Sequence, residues 1–233
     1  MDGDMKHLLT LLLAICAFPQ FAHATAQMPD KLILDGEEVP LHTNPLQPYL
    51  YAHRDEVPKF RSMTSANWRG YVATFAIRDG YLIVDKVEVR MREDGAKRGK
   101  DPEQKEYRLE PPMEDIVTQV FNGRDDVPAT WYTGALVIPR GEVINYIHMG
   151  YGSTSERYTL LRVREGRVIE RLDMGAGDFT VYRKQRFAAF KATPAYAAML
   201  ADATSGEYPM EPADAEEFLY QYKAEDYLSR DLD

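Results

Sequence analysis

Apolar and polar positions alternate through four runs, 131–138, 143–149, 157–164 and 167–172, each rich in Val, Ile, Leu, Tyr or Thr. A period of two sends successive side chains to opposite faces of an extended chain, so these runs predict strands. Pro139-Arg140-Gly141 and Glu165-Gly166 read as tight turns, Pro presetting φ and Gly accepting the left-handed position. Links this short force antiparallel neighbours, because a parallel pair needs a crossover of about a dozen residues. The stretch therefore predicts a meander. Its third link is different: Gly150 and Gly152 flank Tyr151, and Ser153, Thr154 and Ser155 follow. Two readings stay open there, a wide turn or bulge whose hydroxyls bond their own backbone, and a binding loop whose N–H groups line a concavity.

The same alternation recurs earlier. Tyr71, Ala73, Phe75 and Ile77 share one strand face, Asp79-Gly80 is a two-residue hairpin signal, and Tyr81, Ile83, Val87, Val89 and Met91 share a face of the return strand. Residues 31–34 and 39–41 around Asp35-Gly36 form a smaller hairpin, and prolines at 45, 48 and 58 leave room for one short helix near 46–53. His42 and His53 fall in that irregular region and read as exposed loop histidines. Residues 92–112 are charged and carry glycine and proline, which predicts an exposed loop.

Spacing of 3.6 takes over at Met113, Ile116, Val117, Val120 and Phe121, a helix ended by Asn122-Gly123. Asp178 is an N-cap candidate for a helix to about residue 190, and Thr193-Pro194 starts another. Ala215, Phe218, Leu219 and Tyr222 make an apolar stripe on a last, acidic helix over 213–228. Together these elements predict an α+β fold, an antiparallel meander with helices packed on one face.

Composition adds the compartment. Lys6 and His7 precede an apolar run from Leu8 to Phe18, too short for the ~20 residues of a membrane span, and small residues at Ala22, Ala24 and Ala26 suit a signal peptidase. Residues 1–26 are thus expected to be a cleavable export signal, with cleavage after Ala24 or Ala26 and initiation at Met1 or Met5, and residues 27–233 a single domain. Ile15 before Cys16 argues against lipidation. Cleavage removes the sole cysteine, which excludes disulfides and thiol catalysis and fits a periplasmic or secreted protein. The net charge of −9 is concentrated at the end, where residues 201–233 hold ten Asp/Glu against Lys223 and Arg230. Such a tail repels nucleic acid and anionic lipid.

Candidate chemistry is sparse. Ser153 near His148, with a nearby acid, is the best nucleophile and base, but no Gly-x-Ser-x-Gly elbow surrounds it. The histidines lack any metal-ligand spacing, so neither metal nor cofactor is expected. Fifteen tyrosines suit a sugar groove or a protein interface equally. The segments Trp68-Arg69-Gly70-Tyr71-Val72-Ala73-Thr74-Phe75 and Asn145-Tyr146-Ile147-His148-Met149-Gly150-Tyr151-Gly152-Ser153 resemble a group of uncharacterised exported bacterial proteins, a resemblance that implies no activity and no site residue. The expectation is a non-enzymatic periplasmic binding protein, an inhibitor or immunity-type partner of a basic, cell-wall-active enzyme. Its binding surface is expected to join Trp68, Arg69 and Tyr71 to His148, Tyr151 and Ser153. The alternative is an envelope glycan or ester hydrolase using His148 with Ser153 or a nearby carboxylate.

Overall fold

The computed structural model describes residues 26–60, 64–90, 113–147, 151–206 and 208–230. Residues 1–25, where an export signal is expected, the charged stretch 92–112 and His148 lie outside the described residues. The fold is α+β, with nine strands and short to medium helices among the described residues. β1 (Asp30–Leu34) and β2 (Glu37–Leu41) form the first hairpin and are followed by α1 (Gln47–Ala52). β3 (Tyr71–Arg78) and β4 (Tyr81–Arg90) form the second. The short β5 (Met113–Asp115), α2 (Val117–Val120) and β6 (Val127–Pro128) lead to β7 (Gly134–Asn145), β8 (Thr154–Arg164) and β9 (Arg167–Gly175). Helices α3 (Ala176–Phe190), α4 (Pro194–Ser205), α5 (Pro212–Tyr222) and α6 (Ala224–Leu228) complete it.

The predicted two-residue turns form as expected. Asp35-Gly36, Asp79-Gly80 and Glu165-Gly166 all carry positive φ at both central residues, the twist that matches paired strands. Thr193 caps α4 by accepting from the Tyr196 backbone N–H. Five features depart from the pattern. Gly141, with φ of 76°, closes no hairpin; it sits in a bulged stretch inside the continuous β7, which keeps pairing with β8 on both sides. A bulge uses the left-handed glycine as readily as a turn does. A register shift opposite Thr74/Phe75 leaves Asp85 as an extra residue in β4, so Leu82 and Val84 face inward before it and Val87 and Val89 after it. That insertion breaks the expected common face of Tyr81, Ile83 and Val87. The helix expected from Met113 shrinks to α2 because residues 113–115 pair with β4 instead, and the C-terminal helix divides at Lys223. Gly175 occupies the N-cap of α3, with Asp178 in its first turn.

The sheet runs β2-β1-β3-β4-β9-β8-β7 and is antiparallel except for β1 against β3. It curls, so that inward side chains of β1, β2, β3, β4, β7 and β8 share one core, among them Leu32, Leu41, Phe75, Leu82, Leu136 and Leu161. α1 and α2 plug that core with Leu46, Leu50, Val120 and Phe121. Tyr49 packs against Phe121 and Trp131 with ring centroids 4.8 and 4.5 Å apart. A second core lies on the outer face of β7 and β8, where Tyr158 stacks on Phe179 at 4.0 Å and Leu160 meets Phe187, Leu219 and Tyr227. The helical layer covers this face.

Curling brings the two ends of the sheet together. The His42 N–H donates to the Val137 carbonyl at 2.8 Å, and Arg140 reaches Glu37 at 3.3 Å, which sets β2 and β7 antiparallel. In such a pair a residue's N–H and C=O point to the same edge, and alternate residues repeat it. Pro40 lies two residues before His42 and Pro139 two after Val137, so both place a nitrogen without hydrogen on this seam. The two prolines stop it from zipping shut.

Candidate functional site

The seam ends at the edge of the curled sheet where β1 and β3 begin and β2 finishes. Asp30 opens β1 in phase with Leu32 and Leu34 and is fully buried there. Its Oδ1 accepts from Arg69 Nη2 at 3.1 Å and from the Ala73 backbone N–H at 3.0 Å. Arg69 also donates to the Met28 carbonyl and, through Nη1, to the Tyr151 hydroxyl, both at 2.8 Å. Its guanidinium lies 5.2 Å from the centroid of Tyr71, whose hydroxyl donates to Gln47. The Tyr151 hydroxyl donates in turn to Asn44 Oδ1 at 3.1 Å, and its ring stacks on His42 at 4.8 Å. The Asn44 backbone N–H then reaches Glu225 Oε2 at 3.2 Å, with the Tyr132 hydroxyl 3.4 Å from Oε1. One hydrogen-bonded chain thus runs from the start of β1 to α6.

Burial sets the electrostatics of this chain. It pushes the Asp30 carboxyl up to about 6 despite the opposing pull of Arg69. It raises Glu225 to about 7, against hydrogen bonding from Asn44, and lowers the His42 imidazole to about 4. Tyr151 rises to about 12 for the same reason, with Arg69 pulling it back. His42 is therefore neutral near pH 7 and serves as a stacking surface, not the exposed loop histidine its sequence context suggests.

Of the residues expected to form a surface, the structure joins Arg69, Tyr71 and Tyr151 but turns the first two inward, to 8% and 1% exposure. Trp68 stands 62% exposed beside them. The Ser153 hydroxyl donates to the Ile147 carbonyl at 3.2 Å and accepts from the Ile147 N–H at 3.0 Å. Both of its bonding directions are used by the Ile147 backbone. Ser153→Ala is expected to lower stability by about 1 kcal/mol, read as a lower urea midpoint at unchanged m-value; an unchanged midpoint would mean that the Ile147 backbone does not need the hydroxyl.

Sequence reading missed Asp30, Asn44, His42 and Glu225. Asp30 alone carried a signal, a charge in the inward phase of an apolar strand. The others depend on contacts across more than a hundred residues of chain.

Among the described residues, the two larger of three cavities that touch this chain of bonds lie on either side of it. On the seam side a cleft of about 380 Å³ is walled by Val39, Pro40, Pro139, Val143 and Tyr146 and floored by His42 and Tyr151, with Ser153 at its edge. Beyond it, the end of β7 exposes Val143, Ile144 and Tyr146 at 56%, 59% and 62%. On the far side a cavity of about 640 Å³ opens between α1 and α6. No protein family, curated protein or solved structure matches this chain.

Proposed function

We propose that the protein is an exported, non-enzymatic binding protein that engages a protein partner, of the inhibitor or immunity type, in the cleft between β2 and the end of β7. The observation that carries this reading is the exposed apolar run Val143, Ile144 and Tyr146 beside a cleft that the two seam prolines hold open. Val143 and Tyr146 both line this cleft while remaining more than half exposed, so its rim offers apolar surface to a partner. Tyr151 forms the floor of the cleft, and Arg69 positions it from within. The seam-facing edges at Pro40 and Pro139 offer carbonyl oxygens without the matching N–H, which favours a partner rich in donors. The acidic C-terminal region adds long-range attraction for a basic partner. Ser153, whose hydroxyl is spent on the Ile147 backbone, is poorly placed to be the nucleophile of an envelope hydrolase.

Immobilised protein is expected to capture a basic protein from envelope extract in stoichiometric amount at low salt and less of it at high salt, with the partner identified by mass spectrometry. The combined Val143→Asp and Tyr146→Ala variant should lose it. Undiminished capture by that variant would place the interface elsewhere.

A further inference from the structure

The cavity between α1 and α6 has a different chemistry from the seam cleft, and its use is independent of a protein partner. Its outer wall is Tyr51, whose ring is 73% exposed, and its inner wall is Trp131. The Trp131 indole N–H is committed to the Pro45 carbonyl at 2.9 Å, so what the ring offers the cavity is apolar surface. Around these rings stand polar groups of both senses. Gln47 commits its carbonyl end to the Tyr71 hydroxyl at 3.2 Å, which leaves its NH₂ end for the cavity. Ser229 Oγ accepts from the Ala135 N–H at 2.9 Å and is hydrogen-bonded to the Tyr132 hydroxyl, so it helps to shape the wall without offering a free group. The Arg230 guanidinium, which lies 5.0 Å from the Phe190 ring centroid, borders the cavity, while Asp226 and Glu225 supply acceptors on the same wall.

We infer that this cavity binds a neutral saccharide, with Tyr51 stacking on the sugar face and Gln47, Glu225, Asp226 and Arg230 reading its hydroxyls. The ligand class follows from the lining. A sugar ring presents an apolar C–H face to an aromatic and hydroxyls that both donate and accept. A phosphate or other anion would meet the Asp226 carboxylate and the Glu225 carboxyl beside a single guanidinium, and a purely apolar ligand would strand the polar groups. Glu225 ties this cavity to the bond chain through Asn44, so its carboxyl is held in place before any ligand arrives.

The test is a titration of the purified protein with three neutral trisaccharides, maltotriose, cellotriose and chitotriose, followed by calorimetry and tryptophan fluorescence. At least one is expected to bind saturably. Tyr51→Ala, a change at an exposed position, should weaken that binding about tenfold or more, whereas Tyr208→Ala, on a ring that is 83% exposed outside the cavity, should not. Absence of saturable binding with all three sugars, or binding indifferent to Tyr51→Ala, overturns the inference. Capture of a protein partner at the seam is unaffected by either result, so the two readings succeed or fail separately.

Discussion

Asp30→Ala is expected to lower the free energy of unfolding by about 3–5 kcal/mol, the cost of leaving one half of a buried ion pair alone. The side chains of Arg69 and Asp30 are 3% and 0% exposed. Arginine cannot shed its proton to escape burial, so removal of Asp30 strands a cation and also deprives the Ala73 N–H of its acceptor. Replacing both partners, Asp30→Ala with Arg69→Met, should recover most of the loss, because an apolar pair carries no desolvation cost. Urea unfolding followed by circular dichroism and fluorescence measures both. A single-variant loss under about 1 kcal/mol would show that the pair is solvated and not the anchor of the site. The consequence reaches beyond stability: Arg69 holds the Tyr151 hydroxyl, so the double variant should fold while its cleft floor loosens.

The second large effect is on pH dependence. Burial raises the Glu225 carboxyl from an ordinary 4.5 to about 7 in the folded chain. Between those values the folded state holds a proton that the unfolded state has released. The linkage slope is therefore negative: Glu225 stabilises fully below pH 4.5, and that contribution is lost as pH rises through 7. Its size is on the order of 3 kcal/mol at 1.36 kcal/mol per unit. Asp30, raised to about 6, acts in the same direction, and His42, lowered to about 4, acts in the opposite one. The difference between wild type and Glu225→Gln isolates the one carboxyl. Across pH 4.5 to 7.5, wild type should lose about 3 kcal/mol more stability than the glutamine variant. Parallel curves would mean that Glu225 titrates like a surface residue.

Local chemistry made much of the fold legible. Each Asp-Gly or Glu-Gly pair between alternating runs became a hairpin turn, since few residue pairs accept two positive φ values. Thr193-Pro194 started a helix because a hydroxyl acceptor followed by a preset φ has few other uses. Where the sequence misled, the same residue served two structures. Gly141 reads as a turn but supplies a bulge, and what decides between them is whether β7 continues to pair with β8. Asp85 adds one residue to β4 and so reverses the phase of everything before it. The closure of β2 onto β7 was invisible because it joins segments about a hundred residues apart through little more than His42 and Val137.

The candidate site was half legible for the same reason. Arg69 and Tyr151 were singled out separately and do meet, at 2.8 Å. The sequence could not show that Asp30 would draw Arg69 inward, which converts an expected docking arginine into a positioning residue. The cleft itself is built from Pro40 and Pro139, two residues that look like ordinary strand breakers until their shared edge is known. Glu225 lay in a segment whose charge suggested solvent, yet α6 docks it under Asn44.

Protein binding in the seam cleft can be read by calorimetric titration of the captured partner into wild type, the Val143→Asp/Tyr146→Ala variant and Tyr208→Ala. A one-to-one complex is expected, weakened about a hundredfold or more by the cleft variant, about 2.7 kcal/mol or more in binding free energy, and unchanged by Tyr208→Ala. Equal affinity for wild type and the cleft variant, or equal weakening by Tyr208→Ala, would contradict it.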